Sequence, residues 1–182
     1  MLSVIQNILI QEIDINSLYG QNDLSLLHLS CLYGKIKCVN FLLNNHADPN
    51  LQTEKTFSTP LHFAMKNFDK DCVESLIKVD AVEDLKDFQN KTPEMIAGQD
   101  MVKFLRQAII EREDVKTELL QLIREKKEKK LANFLKEKKI HNKIINGSSA
   151  LHYAIDCGSA LCLKILINNK CDINFESDDF IE

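Results

Sequence analysis

Three histidines recur in one sequence context and are the first residues to consider for metal or acid–base chemistry. His28, His62 and His152 each stand three residues after a serine or threonine, at the start of a short apolar pattern. One metal ion needs all its protein ligands within bonding distance of a single point, and these histidines lie in three separate segments. The sequence also contains no HExxH motif and no paired Cys/His spacing. It therefore predicts no metal site.

The best candidate for a nucleophile and its base is Cys157 with His152. Five residues separate them, and because each helical residue advances about 100°, they lie about 140° apart around a helix. A thiol and an imidazole in that arrangement cannot form the hydrogen bond that activates the nucleophile. The chain has five glycines and no glycine-rich phosphate-binding loop. We therefore predict no catalytic residue, no cofactor and no small-molecule substrate.

The net charge of −4 is distributed unevenly along the chain. Residues 116–143 contain ten basic and four acidic side chains, whereas the segments on either side are acidic. The lysine-rich stretch 124–139 could bind anionic lipid, nucleic acid or an acidic protein. Its interspersed glutamates favour a solvated helix surface and argue against nucleic acid as the partner.

Neither a membrane helix nor a signal peptide is predicted. No apolar run approaches the roughly 18 residues of a membrane span, and the apolar first five residues have no basic flank. Six cysteines without paired spacing indicate buried free thiols in a reducing compartment. Lysine outnumbers arginine 20 to 3, which is typical of AT-rich coding sequences. Together these features predict a cytoplasmic protein, located in the host cytosol if it is a secreted effector of an intracellular bacterium.

The segment 58–64, STPLHFA, is the clearest of several related segments that carry the histidines. Its Thr59 suits a helix N-cap, and its Pro60 suits the first helical position, where no amide hydrogen is missed. The positions that correspond to Thr59 in the related segments are Ser25, Thr92 and Ser149. In chain order, Ser25, Thr59 and Thr92 are separated by 34 and 33 residues. A period of roughly 33 residues indicates a stack of repeated units.

The repeats divide the chain into a half repeat and five helix-turn-helix units, which we number one to five. The half repeat covers 1–16, the five repeats cover about 19–50, 53–84, 87–112, 115–142 and 146–174, and an acidic tail covers 175–182. Gly34 and Gly158 supply left-handed stops between the helices of repeats one and five. Phe68 takes the place of the glycine in repeat two, so we expect an altered turn there.

Repeats three and four depart from the common pattern. Repeat three is shorter between its two helical patterns, which predicts the loss of about one helical turn. Repeat four lacks the opening segment and contains two helical patterns, 117–124 and 128–138. We favour two helices, because Leu131 then aligns with Val39 of repeat one. The alternative is a single long helix over 115–139, since no strong helix breaker separates the two patterns.

These segments carry a resemblance to the ankyrin-repeat family over nearly the whole length of the chain. The residues from Thr59 to His62 match the Thr-Pro-Leu-His of that family, and 47–50 and 171–174 match its closing Ala-Asp-Val-Asn in part. The resemblance implies an all-α fold: an ankyrin-repeat solenoid of stacked helix-turn-helix units with hairpin-like loops, in one domain over 1–182. It also implies that the repeated histidines form hydrogen bonds within and between repeats, and so have a structural role.

The same resemblance implies a non-enzymatic adaptor or scaffold that binds another protein through a concave face of loop tips and first helices. Carried over position by position, the partner-binding residues are Gln21, Asn22, Leu32, Tyr33, Lys55, Phe57, Lys66, Asn67, Phe88 and Gln89. Phe57 and Phe88 either form part of an interface or tuck under neighbouring loops. Two other functions remain open: a regulatory or targeting domain of a larger enzyme, and an anionic-surface binder through 124–139.

Overall fold

The computed structural model describes residues 14–138 and 147–169, and every regular element in these ranges is helical. The elements are α1 (Leu26–Leu32), α2 (Ile36–Asn44), α3 (Pro60–Lys66), α4 (Lys70–Ile77), a 3₁₀ turn η1 (Pro93–Ile96), α5 (Gln99–Arg124), α6 (Glu128–Glu137), α7 (Gly147–Asp156) and α8 (Ala160–Asn168). Contacts between residues divide the chain after Ile109 into an N-terminal part and a C-terminal part. The acidic tail, the segment 171–174 and most of the half repeat lie outside the described residues.

The helix starts of repeats one and two are built as the sequence predicted. Thr59 is the N-cap of α3, its hydroxyl accepts a hydrogen bond from the amide of His62, and Pro60 is the first helical residue. The imidazole of His62 in turn accepts a bond from the Thr59 amide at 3.0 Å. Ser25 and His28 form the same reciprocal pair at the start of α1. Each histidine therefore completes a capping box, the position that glutamate or glutamine usually takes.

The turn between the two helices of a repeat is the same in repeats one and two. Gly34 has φ +60°, and the next amide, that of Lys35, donates to the Ser30 carbonyl at 2.8 Å. Phe68 has φ +55°, and the next amide, that of Asp69, donates to the Ala64 carbonyl at 3.1 Å. The expectation of an altered turn in repeat two is therefore wrong. Phe68 adopts the left-handed conformation itself, at a cost of roughly 1–2 kcal/mol for a residue with a Cβ.

The N-terminal part has one apolar core, which forms where neighbouring repeats stack. Helix α1 packs on α2 and α3, α2 packs on α4, and α3 packs on α4 and η1. Its fully buried side chains include Leu27, Leu42, Leu61, Met65 and Leu76. Because a single repeat cannot bury its own apolar face, this stacking between neighbours supplies the stability. Truncating one of the leucines to alanine would remove about 2–5 kcal/mol.

Repeat three has the shortened first helix that its spacing predicted, a single 3₁₀ turn. Helix α5 then runs without interruption from Gln99 to Arg124, across the predicted boundary between repeats three and four. It ends in another left-handed turn, at Lys126 with φ +52°, and α6 follows. The predicted break between the two helical patterns is present, and the alternative of one helix over 115–139 is wrong. The first of the two patterns is the end of a longer helix, which the sequence reasoning did not foresee.

The C-terminal part has its own apolar core. Helix α8 packs on α6 and α7, and the core is closed by Leu119, Ile123, Leu131, Leu135 and Leu166. All five described cysteines are unpaired, and four of them are buried, as their sequence context predicted; Cys171 lies outside the described residues.

Candidate functional site

His28 and His62 each join one repeat to the loop of the next. The Nε2 atom of His28 lies 3.1 Å from the Ser58 carbonyl oxygen, and that of His62 lies 3.1 Å from the Lys91 carbonyl oxygen. A carbonyl can only accept, so Nε2 carries the proton, and Nδ1 is free to accept from the cap amide. Burial lowers the pKa of His28 to about 4 and also lowers the pKa of His62. Both imidazoles are therefore neutral near pH 7 and have the structural role that the resemblance implied.

Two of the three repeated histidines lie in the N-terminal part and the third lies in the C-terminal part. His28 and His62 are buried at the starts of different helices, and His152 is exposed on α7. In the described ranges, no three side chains of histidine, cysteine, aspartate or glutamate come close enough to hold a metal ion. No described helix is both long enough and apolar enough to cross a bilayer.

His28 anchors the loop of repeat two and His62 that of repeat three, and we call these two loops and the corresponding loop of repeat one the finger loops. They span 19–24, 53–58 and 87–91. The first is closed by paired backbone bonds between Tyr19 and Leu24 at 3.0 and 3.1 Å. The other two are each closed by one backbone bond between their end residues, at 3.1 and 2.9 Å. All three loops are therefore ordered by their own backbone bonds, and the second and third are also held by the histidines.

Neighbouring finger loops are also bonded to one another. The amide of Phe88 in the third loop donates to the Thr56 carbonyl in the second at 2.9 Å. The side-chain amide of Gln52 donates to the Phe57 carbonyl at 2.7 Å and to the Lys86 carbonyl at 3.1 Å. Lys55 donates to the Gln21 carbonyl of the first loop. Because these bonds exist without a partner, a ligand would meet a preorganised surface and would lose less ordering entropy on binding.

The finger loops and the first helices of repeats one to three enclose a groove of about 520 Å³, which we call the finger-loop groove. Its apolar lining is Leu24, Leu32, Phe63, Phe88 and Ile96. Its polar and charged lining is Asn22, Lys55, Thr56, Ser58, His62, Lys66, Asp87, Gln89 and Lys91. Apolar side chains combined with convergent polar groups are the usual lining of a protein cleft that binds a ligand.

The structure places six of the ten predicted partner-binding residues in this groove: Asn22, Leu32, Lys55, Lys66, Phe88 and Gln89. The other four lie beside it. Tyr33 and Asn67 cap the C-terminal ends of α1 and α3 and do not line the groove. Gln21 and Phe57 are loop residues that do not line the groove, although residues adjacent to them in sequence do.

Phe57 and Phe88 do not tuck under neighbouring loops, since 50% and 59% of their surfaces are exposed. Phe57 has φ +50°, a conformation that turns the chain sharply at the tip of the second finger loop. Phe88 lines the groove, and its backbone is held by the bond from its amide to the Thr56 carbonyl. An exposed aromatic on an ordered loop is a common anchor in protein interfaces.

Sequence reasoning missed Phe63 and Ile96, which form part of the floor of the groove. The signal was present, because the two residues stand in the same place in consecutive repeats. Each follows directly after the position of the repeated histidine. In repeat three that position is Met95, which is 66% exposed. A histidine at this position would have no carbonyl of a following finger loop to donate to, because η1 is followed by α5, which continues to Arg124.

The described part of the lysine-rich stretch, 124–138, comprises the end of α5, a short turn and α6. Leu131, Phe134 and Leu135 face the core of the C-terminal part. The lysines at 126, 127, 129, 130, 136 and 138 are all exposed. This arrangement is what a solvated, amphipathic surface helix requires.

Comparison with known families agrees with this architecture. A sequence model of ankyrin repeats, in three copies, matches residues 27–117, which is half of the chain, and a model of a single ankyrin repeat matches residues 146–178. The chain belongs to the ankyrin-repeat family. The all-α, stacked-repeat fold predicted from the sequence is thereby confirmed.

Among solved structures, this ankyrin-repeat chain is similar to the crystal structure of the ankyrin repeat domain of Bcl-3, described as a unique member of the IkappaB protein family. The TM-score is 0.52 and the sequence identity is 27% over 56% of this chain. The match spans 45% of the other chain, which is less than half of its length. No curated protein sequence matches the chain significantly.

Proposed function

We propose that this ankyrin-repeat chain is a non-enzymatic adaptor or scaffold that binds another protein through the finger-loop groove. The observation that carries the proposal is the groove itself: an accessible apolar floor between loops that are already bonded to one another. Exposed apolar surface of this kind, bordered by polar groups, is typical of interaction sites. The membership of a family of protein-interaction modules supports the same function.

Within the groove, Leu32, Phe63 and Phe88 are the proposed centre of the interface. Large apolar side chains near the centre of a contact usually supply most of the binding free energy. The remaining predicted residues, including Tyr33 and Phe57 beside the groove, then surround that centre. We further propose that the protein acts in a cytosol, as an effector in the host cytosol if its source is an intracellular bacterium; the lysine-over-arginine bias supports that setting.

The test uses two exposed phenylalanines that differ in position. Phe88 lines the groove and is 59% exposed, whereas Phe68 is 63% exposed and does not line it. Partners are captured from eukaryotic cytosol with the native chain, purified, and titrated against native, Phe88→Ala and Phe68→Ala chains. We expect Phe88→Ala to raise the Kd at least about tenfold, as removal of a hot-spot aromatic does. Phe68→Ala should change it less than about twofold.

Equal Kd values for the native chain and the Phe88→Ala variant would contradict the proposal. Circular dichroism and the thermal midpoint of each variant control for loss of fold. Since both side chains are mostly exposed, neither substitution removes a buried contact of the core, and both variants should remain folded.

A further inference from the structure

We infer that the finger-loop groove binds a short acidic peptide segment of its partner, with one large apolar side chain of that segment on the groove floor. The inference rests on the proposed function and specifies the chemistry of the partner.

The charges of the groove differ in sign from those of the surrounding sequence. Three lysines line the groove but only one carboxylate, that of Asp87. That carboxylate already accepts bonds from the amides of Gln89 and Lys91 in its own loop, at 2.8 and 2.9 Å. Residues 1–115, by contrast, contain 11 basic and 17 acidic side chains. The groove is therefore a local cationic site in an acidic region.

Two of the groove lysines are available to a ligand. Lys55 forms an ion pair with Asp23 at 3.4 Å. Within the described ranges, Lys66 and Lys91 have no ion-pair partner, and both are exposed. A carboxylate of a bound peptide would form charge-assisted hydrogen bonds with these two ammonium groups.

The apolar floor requires a large side chain as well as charge. Leu32, Phe63 and Ile96 line the groove and are only partly buried, so each keeps apolar surface in contact with water. The volume of about 520 Å³ falls within the range of about 300–1,000 Å³ found for clefts that bind small ligands. An aromatic or branched aliphatic side chain on this floor would bury that surface, at about 25 cal/mol per Å².

A peptide fits these features better than a nucleic acid does. A nucleic acid is a continuous polyanion, and beyond the groove it would meet the net negative charge of this region within a Debye length of about 8–10 Å. A short acidic segment places its charge only where the lysines are. The side chains of Asn22, Thr56, Ser58 and Gln89 line the same groove and can bond to a peptide backbone.

The test selects ligands without assuming a partner. A phage-displayed library of random 12-residue peptides is selected on the full chain at low salt, and the strongest peptide is synthesised with a fluorescent label. Its Kd is measured by anisotropy for four chains: native, Phe88→Ala, Lys66→Glu with Lys91→Glu, and the control Lys129→Glu with Lys130→Glu. The control reverses two exposed lysines of α6, outside the groove.

We expect the selected peptides to be net acidic with an aromatic or large aliphatic residue. Reversal of the two groove lysines should raise the Kd at least about tenfold, and reversal of the α6 lysines less than about twofold. Raising the salt from about 50 to 300 mM should weaken native binding several-fold, because exposed charges are then screened.

The outcomes separate the inference from the proposed function. Neutral or basic peptides that lose affinity on Phe88→Ala would overturn the inference and leave the groove as the binding site. Peptides that respond to neither groove variant would overturn both. A 12-nucleotide oligothymidine that displaces the peptide, and that loses affinity on reversal of Lys66 and Lys91, would assign the groove to nucleic acid instead.

Discussion

His28 shows how one buried side chain joins two repeats. Its Nδ1 accepts from the amide of Ser25, and its Nε2 donates to the carbonyl of Ser58, thirty residues further along. Its ring also meets Phe63 edge-on, with centroids 5.6 Å apart. Protonation would place a donor where Nδ1 must accept, so the folded state requires the neutral ring. This requirement links the stacking of the repeats to pH.

We predict that stability falls as the pH falls through the window from about 6.5 to about 4. The pKa of His28 is about 4 in the folded chain, against 6.5 for an unperturbed histidine. Between these values the unfolded chain binds more protons than the folded chain, so acid favours unfolding. For His28 alone the free energy of unfolding should be about 2 kcal/mol lower at pH 5 than at pH 7.5.

Urea unfolding at the two pH values, for the native chain and for His28→Gln, measures this contribution. The variant should be less stable at pH 7.5, because it loses the cap and the bond between repeats. Its further loss on going to pH 5 should be smaller than that of the native chain by about 2 kcal/mol. An equal pH-dependent loss in both chains would show that His28 does not carry the effect.

At the residue scale, the sequence located the groove but could not choose between adjacent residues. Leu32 and Tyr33 were both predicted to contact a partner, and so were Lys66 and Asn67. Successive helical residues point about 100° apart, so only the first of each pair lines the groove. The orientation of a helix about its own axis depends on tertiary packing, which a single repeat of sequence does not contain.

At the scale of elements, glycine at the turn between the two helices of a repeat can be required for two different reasons, which the sequence alone does not distinguish. One is a left-handed conformation, which Phe68 and Lys126 also adopt. The other is space: a Cβ on Gly34 would lie 2.7 Å from Asp69 Oδ2 and 3.3 Å from Asn67 Nδ2. Glycine is therefore needed at Gly34 because the turn of repeat two approaches it closely, and not because of φ alone.

We predict that Gly34→Ala is more destabilising than Gly20→Ala. Both glycines have positive φ, +60° and +74°, but a Cβ on Gly20 meets nothing within 4 Å. Gly20→Ala should therefore cost only the strain of the left-handed conformation, about 1 kcal/mol. Gly34→Ala should cost about 1 kcal/mol more, because Asp69 must move and its side chain caps α4 at the Cys72 amide.

Urea unfolding of the two variants at pH 7.5 tests this difference, and both glycines lie in the N-terminal part, so their values are comparable. Equal costs would mean that the Asp69 side chain moves away freely and that the close approach is not a constraint. The replacement of glycine by Phe68 in repeat two led to a wrong expectation for the same reason. Sequence propensity describes strain in isolation, whereas the surrounding hydrogen bonds determine whether a fold tolerates that strain.

At the scale of the whole molecule, the repeat period was readable because each copy is a local pattern that returns at a fixed interval. The full length of helix α5 could not be predicted in this way, because the boundary between repeats three and four was inferred from residue numbering and not from a local pattern. Residues 112–116 contain neither glycine nor proline, so nothing in them ends a helix. The helix continues and supplies Met101 and Leu105 to one core and Leu119 and Ile123 to the other.

A helix that contributes to both cores should make them unfold together, and we therefore keep the prediction of a single domain. Native-state hydrogen exchange at rising urea measures the free energy of opening for amides in α1–α4 and in α7–α8. We expect one common value in the native chain. The variant Glu113→Pro, in the interior of α5, should give two different opening free energies, one for α1–α4 and one for α7–α8. The reason is that proline in a helix interior costs about 3 kcal/mol and breaks the helix.

The matched control is Glu113→Ala, which removes the ion pairs of Glu113 with Arg112 and Lys116 but keeps the helix. Because the Glu113 side chain is about half exposed to water, its loss should cost on the order of 1 kcal/mol, and this variant should retain one common opening free energy. Two distinct values in the native chain itself would establish two independently folding domains. In that case the finger-loop groove, which is built entirely from residues 22–96, would belong to the first domain alone.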